Sequence, residues 1–210
     1  LKLHGKEVNG KAKAGTNKAT FMELVDQSAY ALSDAAVSAL RDKGVKLVGW
    51  RGFVPFAHAG SNVTLSQGGA VATTSGGNVA AADESLSAGV HCWEVEVAED
   101  DAWVGVCKAD VRPESGTKDL FTQRGKAWVM RTYGGELYPG RKDAAGEVPV
   151  GARLGCKLDL GAGTLTFYLN GVKHGPGWTG IVGPVKRCVE FGERQGDSVT
   201  LVRTAPAFRD

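Results

Sequence analysis

Residues 151–174 constrain the fold of this chain more than any other stretch. Apolar side chains occupy every second position on both sides of a glycine-rich break: Leu154, Cys156, Leu158 and Leu160 before Gly161-Ala162-Gly163, and Leu165, Phe167 and Leu169 after it. Such period-two alternation predicts strands with one buried face. Asn170-Gly171 then predicts a second tight turn, because both residues tolerate the positive φ that such turns require. The stretch therefore predicts an antiparallel meander.

Shorter segments elsewhere in the chain repeat this pattern. They are GVHCWEVEV (89–97), WVGVC (103–107), KAWVMRT (126–132) and VKRCVEFGERQGDSVTLV (185–202). Thirty glycines and only two methionines also suit a turn-rich β protein better than a helical bundle. We therefore predict an all-β fold, an antiparallel β-sandwich over residues 45–206, with Trp93, Trp103 and Trp128 in its core because they lie within the strand alternation.

The N-terminal part of the chain has a helical period instead. Thr20 and Glu23 fit a capping box, and Gly44 is suited to end a helix. Between them Phe21, Val25, Ala29, Leu32, Ala36 and Leu40 recur at steps of three and four residues. We predict a helical extension over residues 20–44 that packs on the sandwich; a dimer seam or a partner-docking helix is the alternative. The aromatic cluster that follows, Trp50, Phe53 and Phe56, is expected in the core.

Charge is distributed unevenly along the chain. The net charge is +2, but residues 1–18 carry five lysines against Glu7 and are therefore +4, which leaves −2 for the rest. No aromatic residues are interleaved with these lysines, and the remainder has no basic stripe. We predict a basic, flexible, solvated leader over residues 1–19 and no nucleic-acid partner.

The four cysteines have no metal-binding spacing. Cys92, Cys107, Cys156 and Cys188 each lie in a strand-like segment, without a CxxC pair or a histidine at ligand spacing. We predict buried free thiols in a reducing compartment, and no metal. Since neither a signal region nor an apolar run of about 20 residues occurs, we expect a cytoplasmic location without membrane contact. We also expect a monomer.

No cofactor is predicted. The sequence GPGWTG at 175–180 has the glycine spacing of a dinucleotide-binding loop, but that mechanism requires the loop to open a helix. Here Pro184 and a strand follow, so the segment is interpreted as a loop between strands.

One acidic strand raises an enzymatic alternative. Glu94, Glu96 and Glu99 are similar to the E-x-D-x-x-E strand of laminarinase-like glycoside hydrolases, which are also antiparallel sandwiches. Glu94 and Glu96 project from one face of a strand, about 6.6 Å apart along it. A retaining mechanism needs two carboxyl groups roughly 5–5.5 Å apart. Against this, the middle residue is Glu rather than Asp.

The order of the strand motifs resembles the SPRY domain. Gly89 begins a segment close to that family's G-x-H-Y-W-E-V-E-V, with Cys92 where Tyr is usual, and Val104-Gly105-Val106 follows as its VGV does. LDLGAGTLTFYLNG (158–171) is near its L-D-x-x-x-G-T-L-S-F-x-L-N-G. Residues 62–73, 184–192 and 198–202 match its entry strand and closing strand pair. The resemblance spans roughly residues 60–203.

The resemblance implies a function and a site. SPRY domains are non-catalytic modules that recognise a protein or short peptide through loops at one end of the sandwich, and larger proteins use them as substrate-recruiting adaptors of ubiquitin ligases or as scaffolds. The family's closing strand carries an aromatic and a small residue, a position that Phe191-Gly192 holds here. The resemblance implies that Phe191 presents an apolar platform and that Gly192 lets the backbone of a ligand approach closely. Further candidate contacts at the rim are Phe121, Arg112, Arg124, Tyr133, Tyr138 and Trp178; for the aromatic residues the alternative is internal packing, and for the arginines it is a solvated surface position. Binding of a glycan or small ligand is the alternative function.

Overall fold

The computed structural model describes residues 2–3, 6–7, 54–98, 101–113, 125–140, 145–203 and 206–209. The helix predicted over residues 20–44 lies outside these ranges, as do Trp50 and Phe53 and most of the leader. Two short strands of the leader are described, and they pair with each other.

The strands of the described part are named in chain order. They are β1 (Lys2–Leu3), β2 (Lys6–Glu7), β3 (Phe56–Ala59), β4 (Val63–Ser66), β5 (Val71–Thr74), β6 (Val79–Ala82), β7 (Val90–Val97), β8 (Ala102–Lys108), β9 (Ala127–Arg131), β10 (Leu137–Tyr138), β11 (Arg153–Asp159), β12 (Thr164–Leu169), β13 (Val172–Lys173), β14 (Trp178–Thr179), β15 (Val185–Phe191) and β16 (Ser198–Leu201). A 3₁₀ turn, Gln67–Gly69, joins β4 to β5.

Strands β3 to β16 form two antiparallel sheets. Sheet I has the order β10-β9-β8-β15-β6-β3, and sheet II has the order β13-β12-β11-β7-β16-β5-β4, with β14 paired to β12. The all-β antiparallel fold predicted from the alternation is thus confirmed. In the described part of the chain, no helix is both long and apolar enough to cross a membrane.

The two sheets share one hydrophobic core. Sheet I contributes residues such as Val104, Met130 and Val189, and sheet II contributes Val95 and Phe167, each at most 1% exposed. These are alternate residues of their strands, so one face of each sheet points inward. Phe56 joins them at 3% exposed, as predicted.

The 151–174 meander folds as its pattern predicts. β11 and β12 pair from Leu154–Leu169 to Asp159–Thr164, so that their apolar faces coincide. Asn170 and Gly171 adopt φ values of 49° and 83°, the left-handed conformation expected of this turn.

A second apolar cluster lies on the outer face of sheet I. Trp103, Cys107, Val129 and Cys188 belong to it, and they alternate with the residues that face the main core. Consequently β8 is buried on both faces. Trp93, Trp103 and Trp128 are 5%, 7% and 9% exposed, which confirms their predicted burial but assigns Trp103 to this outer cluster.

The predicted burial of the cysteines holds for three of the four. All four cysteines are free thiols, and three of them are buried while Cys92 is half-buried.

Candidate functional site: the Arg131 cluster

One end of the sandwich is closed by hydrogen bonds between neighbouring turns. The amide of Gly77 donates to the carbonyl of Gly192 (3.0 Å), and the amide of Gly192 donates to the carbonyl of Asp101 (3.1 Å). On the other side, the amide of Val148 donates to the carbonyl of Thr132 (2.8 Å). Backbone bonds of this kind fix the loops relative to the strands. This end is therefore a framework on which side chains are held in place.

An arginine stacked between aromatic rings lies beside this end. The guanidinium of Arg131, the last residue of β9, lies 5.1 Å from the ring centre of Trp103 and 5.3 Å from that of Tyr133. Its Nε donates to Oδ1 of Asp101 at 2.7 Å. Tyr138 meets Trp103 edge-on, with 6.3 Å between ring centres. We call Asp101, Trp103, Arg131, Tyr133 and Tyr138 the Arg131 cluster.

The register of sheet I explains why these residues meet. Trp103 of β8 is paired with Arg131 of β9, so both side chains project from the same outer face. Asp101 immediately precedes β8, and Tyr133 lies in the turn between β9 and β10. Strand pairing thus assembles the cluster from residues about 30 positions apart in the chain.

Charge and exposure define what the cluster presents to solvent. The hydrogen bond to Asp101 raises the pKa of Arg131 above its ordinary value, so the guanidinium stays charged at all physiological pH. Tyr133 is 56% exposed, while Arg131 and Asp101 are each about one quarter exposed. The guanidinium of Arg131 has five N–H groups, and within the described residues it makes one hydrogen bond, to Asp101. The cluster therefore offers an aromatic face together with donors for a partner's oxygen atoms.

Gly192 lies here for a reason that the sequence did not indicate. We predicted that its missing side chain lets the backbone of a ligand approach. A Cβ on Gly192 would instead lie 2.5 Å from Oδ2 of Asp101. The glycine thus leaves room for the carboxylate that holds Arg131.

The prediction that Phe191 presents an exposed apolar platform is wrong. Its side chain is 3% exposed and belongs to the main core. On β15 the residues Val185, Val189 and Phe191 face inward, whereas Cys188 faces the outer cluster. Because successive side chains of a strand point to opposite faces, the ring of Phe191 points toward sheet II.

The other candidates are not brought to one place. Trp178 is 7% exposed and packs in the main core, with its indole N–H donating to the carbonyl of Val129 at 3.3 Å, so a rim position for it is wrong. Arg112 is exposed but follows the opposite end of β8, about 20 Å from Asp101 along the strand. Tyr138 belongs to the cluster. Phe121 and Arg124 lie outside the described residues.

Glu94 and Glu96 share the outer face of sheet II, as predicted. Glu94 is 6% exposed and Glu96 is exposed, and Glu99 lies outside the described residues. Burial raises the pKa of Glu94 above its ordinary value, and the nearby charge of Arg153 opposes that rise. Within the described residues, no three His, Cys, Asp or Glu side chains are grouped so that they would hold a metal.

Comparison with known proteins places the chain in a family. The family model of the SPRY domain matches residues 90–201, more than half of the chain. The chain belongs to the SPRY domain family. The resemblance seen in the strand motifs is thereby confirmed, and with it the coarse function, because the SPRY domain is a protein-interaction module.

One curated relative of this SPRY chain is E3 ubiquitin-protein ligase TRIM11 from Bos taurus. The two are 37% identical over 87 residues, which cover 40% of the chain. The match spans only 18% of the length of the relative.

Solved structures support the same fold. The SPRY domain of human HERC1 aligns with a TM-score of 0.59 at 20% identity, covering 67% of this chain and 92% of that domain. The TRIM65 PSpry domain aligns with a TM-score of 0.59 at 17% identity, covering 73% and 90%. Stonustoxin aligns with a TM-score of 0.57 at 20% identity, covering 73% of this chain and 27% of the toxin.

Of the residues that form the cluster, sequence reasoning missed Asp101 and Arg131 and assigned Trp103 to the core. Neither Asp101 nor Arg131 belongs to a motif, and Arg131 ends a strand whose apolar letters drew attention instead. The signal that was available is the neighbouring tyrosine, since an exposed aromatic beside a cation in a turn after a strand is typical of a binding surface.

Proposed function

We propose that this SPRY domain binds a short segment of a partner protein at the Arg131 cluster. The supporting observation is Tyr133: its ring is 56% exposed, yet it stacks on an arginine that an acidic neighbour holds in place. Rigid aromatic and arginine side chains of this kind dominate the binding energy of protein interfaces. The segment contacts the ring of Tyr133 and accepts hydrogen bonds from the guanidinium of Arg131.

In the larger protein, the module recruits substrates for ubiquitination or scaffolds a complex. The TRIM11 relative is named as a ubiquitin ligase, and its match to this chain supports that context. The free cysteines are compatible with the cytoplasm, where we place this function. We propose no cofactor and no catalytic step for it.

The test compares partner capture by the intact chain and by single variants. Immobilised wild type, Tyr133→Ala and Arg131→Ala are incubated with cell extract, and the retained proteins are quantified by mass spectrometry. We expect either substitution to reduce retention of the specific partner by roughly tenfold or more. Circular dichroism confirms that each variant is folded.

Val182→Ala is the matched control. Val182 is 67% exposed, and its carbonyl accepts a hydrogen bond from Lys108 at the opposite end of β8. Retention of the partner should be unchanged in this variant. If Val182→Ala weakens capture as much as Tyr133→Ala does, or if neither cluster variant weakens it, the partner binds elsewhere.

The adaptor role has its own test. The chain is fused to an active ubiquitin-ligase module, and ubiquitination of the captured partner is followed in a reconstituted reaction. Ubiquitination that depends on Tyr133 supports recruitment for ubiquitination; binding without modification supports the scaffold role.

A further inference from the structure

The C-terminal residues 206–209 lie on the outer face of sheet II, beside its edge strand β13. Arg209 pairs with Val172 in a parallel bridge. Its amide donates to the carbonyl of Gly171 at 2.7 Å, and the amide of Lys173 donates to its carbonyl at 3.3 Å. The segment therefore extends sheet II in the way that a bound peptide adds a strand to a sheet edge.

Phe208 inserts its ring into a notch on that face. The ring stacks on Tyr168, with 4.2 Å between centres and 3° between planes. The floor of the notch is Gly155, where a Cβ would collide with Cε1 of Phe208. We call Tyr168, Gly155 and Glu94 the Phe208 notch.

Strand register forms the notch. Gly155 of β11 is paired with Tyr168 on one side and with Glu94 on the other, so the three residues form one row across the outer face. Tyr168 points outward and yet is only 1% exposed. The ring of Phe208, stacked on Tyr168 over the glycine gap, covers part of that outward-facing side chain.

A second glycine admits the backbone of the segment. A Cβ on Gly171 would lie 2.5 Å from the carbonyl oxygen of Ala207. The two glycines thus leave room for two parts of one segment. Gly155 leaves room for an aromatic ring, and Gly171 leaves room for the main chain of the residue before it.

The last three residues of the segment are open to solvent. Pro206 is buried, but Ala207 and Arg209 are exposed and Phe208 is half-buried. Both residues of β13 are exposed, with Val172 at 59%. Edge pairing of this length opens at low free energy compared with the core strands.

We propose that the Phe208 notch is a second binding site, which takes an aromatic side chain on an extended segment. Residues 206–209 fill it within the chain, and a partner segment with a small residue followed by an aromatic one, as in Ala207-Phe208, binds when they leave. The site lies on sheet II, whereas the Arg131 cluster lies on sheet I, so the two proposals stand or fall separately.

The probe is a fluorescein-labelled peptide with the sequence of residues 205–210, Ala-Pro-Ala-Phe-Arg-Asp. Its binding to the full chain is followed by fluorescence anisotropy. In Phe208→Ala the notch lacks its own ring, whereas in the wild type a tethered segment competes at an effective concentration on the order of millimolar. We expect the variant to bind the peptide at least about tenfold more tightly than the wild type does.

Two controls make the result specific to the notch. A peptide with Ala in place of Phe should not bind, and adding Gly155→Leu to the Phe208→Ala chain should abolish binding by filling the floor. Equal binding by wild type and Phe208→Ala, or binding that survives Gly155→Leu, overturns the proposal.

Hydrogen exchange of the wild type provides a second test that needs no variant. The amides of Lys173 and Arg209 should exchange on the order of 100-fold faster than that of Cys156 in β11, because the segment opens without unfolding the sheet. Exchange of all three at the same slow rate would show that residues 206–209 do not leave, which also overturns the proposal.

Discussion

The outer faces of the two sheets carry surfaces built in opposite ways. On sheet I the Arg131 cluster consists of large polar and aromatic side chains, and Tyr133 remains 56% exposed. On sheet II the Phe208 notch is a gap left by a glycine, and the chain's own phenylalanine fills it.

The difference follows from how favourably water solvates each surface. A guanidinium and a phenol keep their polar groups hydrated while their flat faces stack, so the Arg131 cluster is stable when exposed. A bare apolar notch exposes ring and backbone surface whose burial is favourable, so it is filled. Each surface also depends on one glycine: Gly192 leaves room for Asp101, and Gly155 leaves room for Phe208.

The largest expected effect on stability comes from the core that lies between the two surfaces. Phe191→Ala should lower the free energy of unfolding by about 3–5 kcal/mol, because its ring is buried among both sheets. Urea denaturation measures this loss. A variant that keeps wild-type stability and only loses its partner would contradict this prediction, because Phe191 would then be a surface residue.

Next comes the glycine of the notch. Gly155→Ala should cost about 1–3 kcal/mol at most, because the new methyl group displaces the ring of Phe208 and the loss cannot exceed the free energy that holds this segment on the sheet. Thr166→Ala, an outward residue of β12 away from Phe208, is the control in the same denaturation experiment. A Gly155→Ala chain as stable as the wild type would mean that Phe208 does not occupy the gap.

Gly192→Ala should have a smaller effect on stability but a clear effect on binding. The added methyl group meets the end of the Asp101 side chain, which can rotate away. The chain then loses a partly exposed ion pair worth about 0.2–1 kcal/mol. Partner capture should fall because Arg131 is no longer held, and unchanged capture would show that the pair does not position the guanidinium.

The smallest effect concerns Glu94 beside the notch. Its folded-state pKa is raised above the ordinary value of 4.5, so the proton stabilises the fold, and that stabilisation is lost as pH rises through the folded pKa. Glu94→Gln should therefore match the wild type below pH 4.5 and become the more stable of the two as pH rises above it. Thermal unfolding across this pH range measures the difference. A difference that shrinks with rising pH would contradict the raised pKa.

Sequence patterns were sufficient to predict burial and turns wherever the environment of a residue follows from its neighbours in the chain. The alternation of residues 151–169 predicted which side chains are buried, and Asn170-Gly171 predicted its turn. The motif order likewise predicted the SPRY family, which the family match confirms.

The residues of the Arg131 cluster were not predictable in this way. Phe191 and Tyr133 are both aromatic residues at strand ends, and only the parity of each strand relative to the core decides which one is exposed. Arg112 and Gly192 each follow the C-terminal end of a strand of sheet I, and because β8 and β15 are antiparallel the two residues lie at opposite ends of the sheet.

By itself, the sequence determined the strands of the 151–174 meander, the antiparallel sandwich and the family, because these depend on local periodicity and residue type. Tertiary structure alone decided that Arg131 stacks between Trp103 and Tyr133, and that Phe208 covers Gly155. The physical reason is that strand register joins residues about 30 to 50 positions apart, and the alternation within one strand carries no information about which partner residue lies beside it.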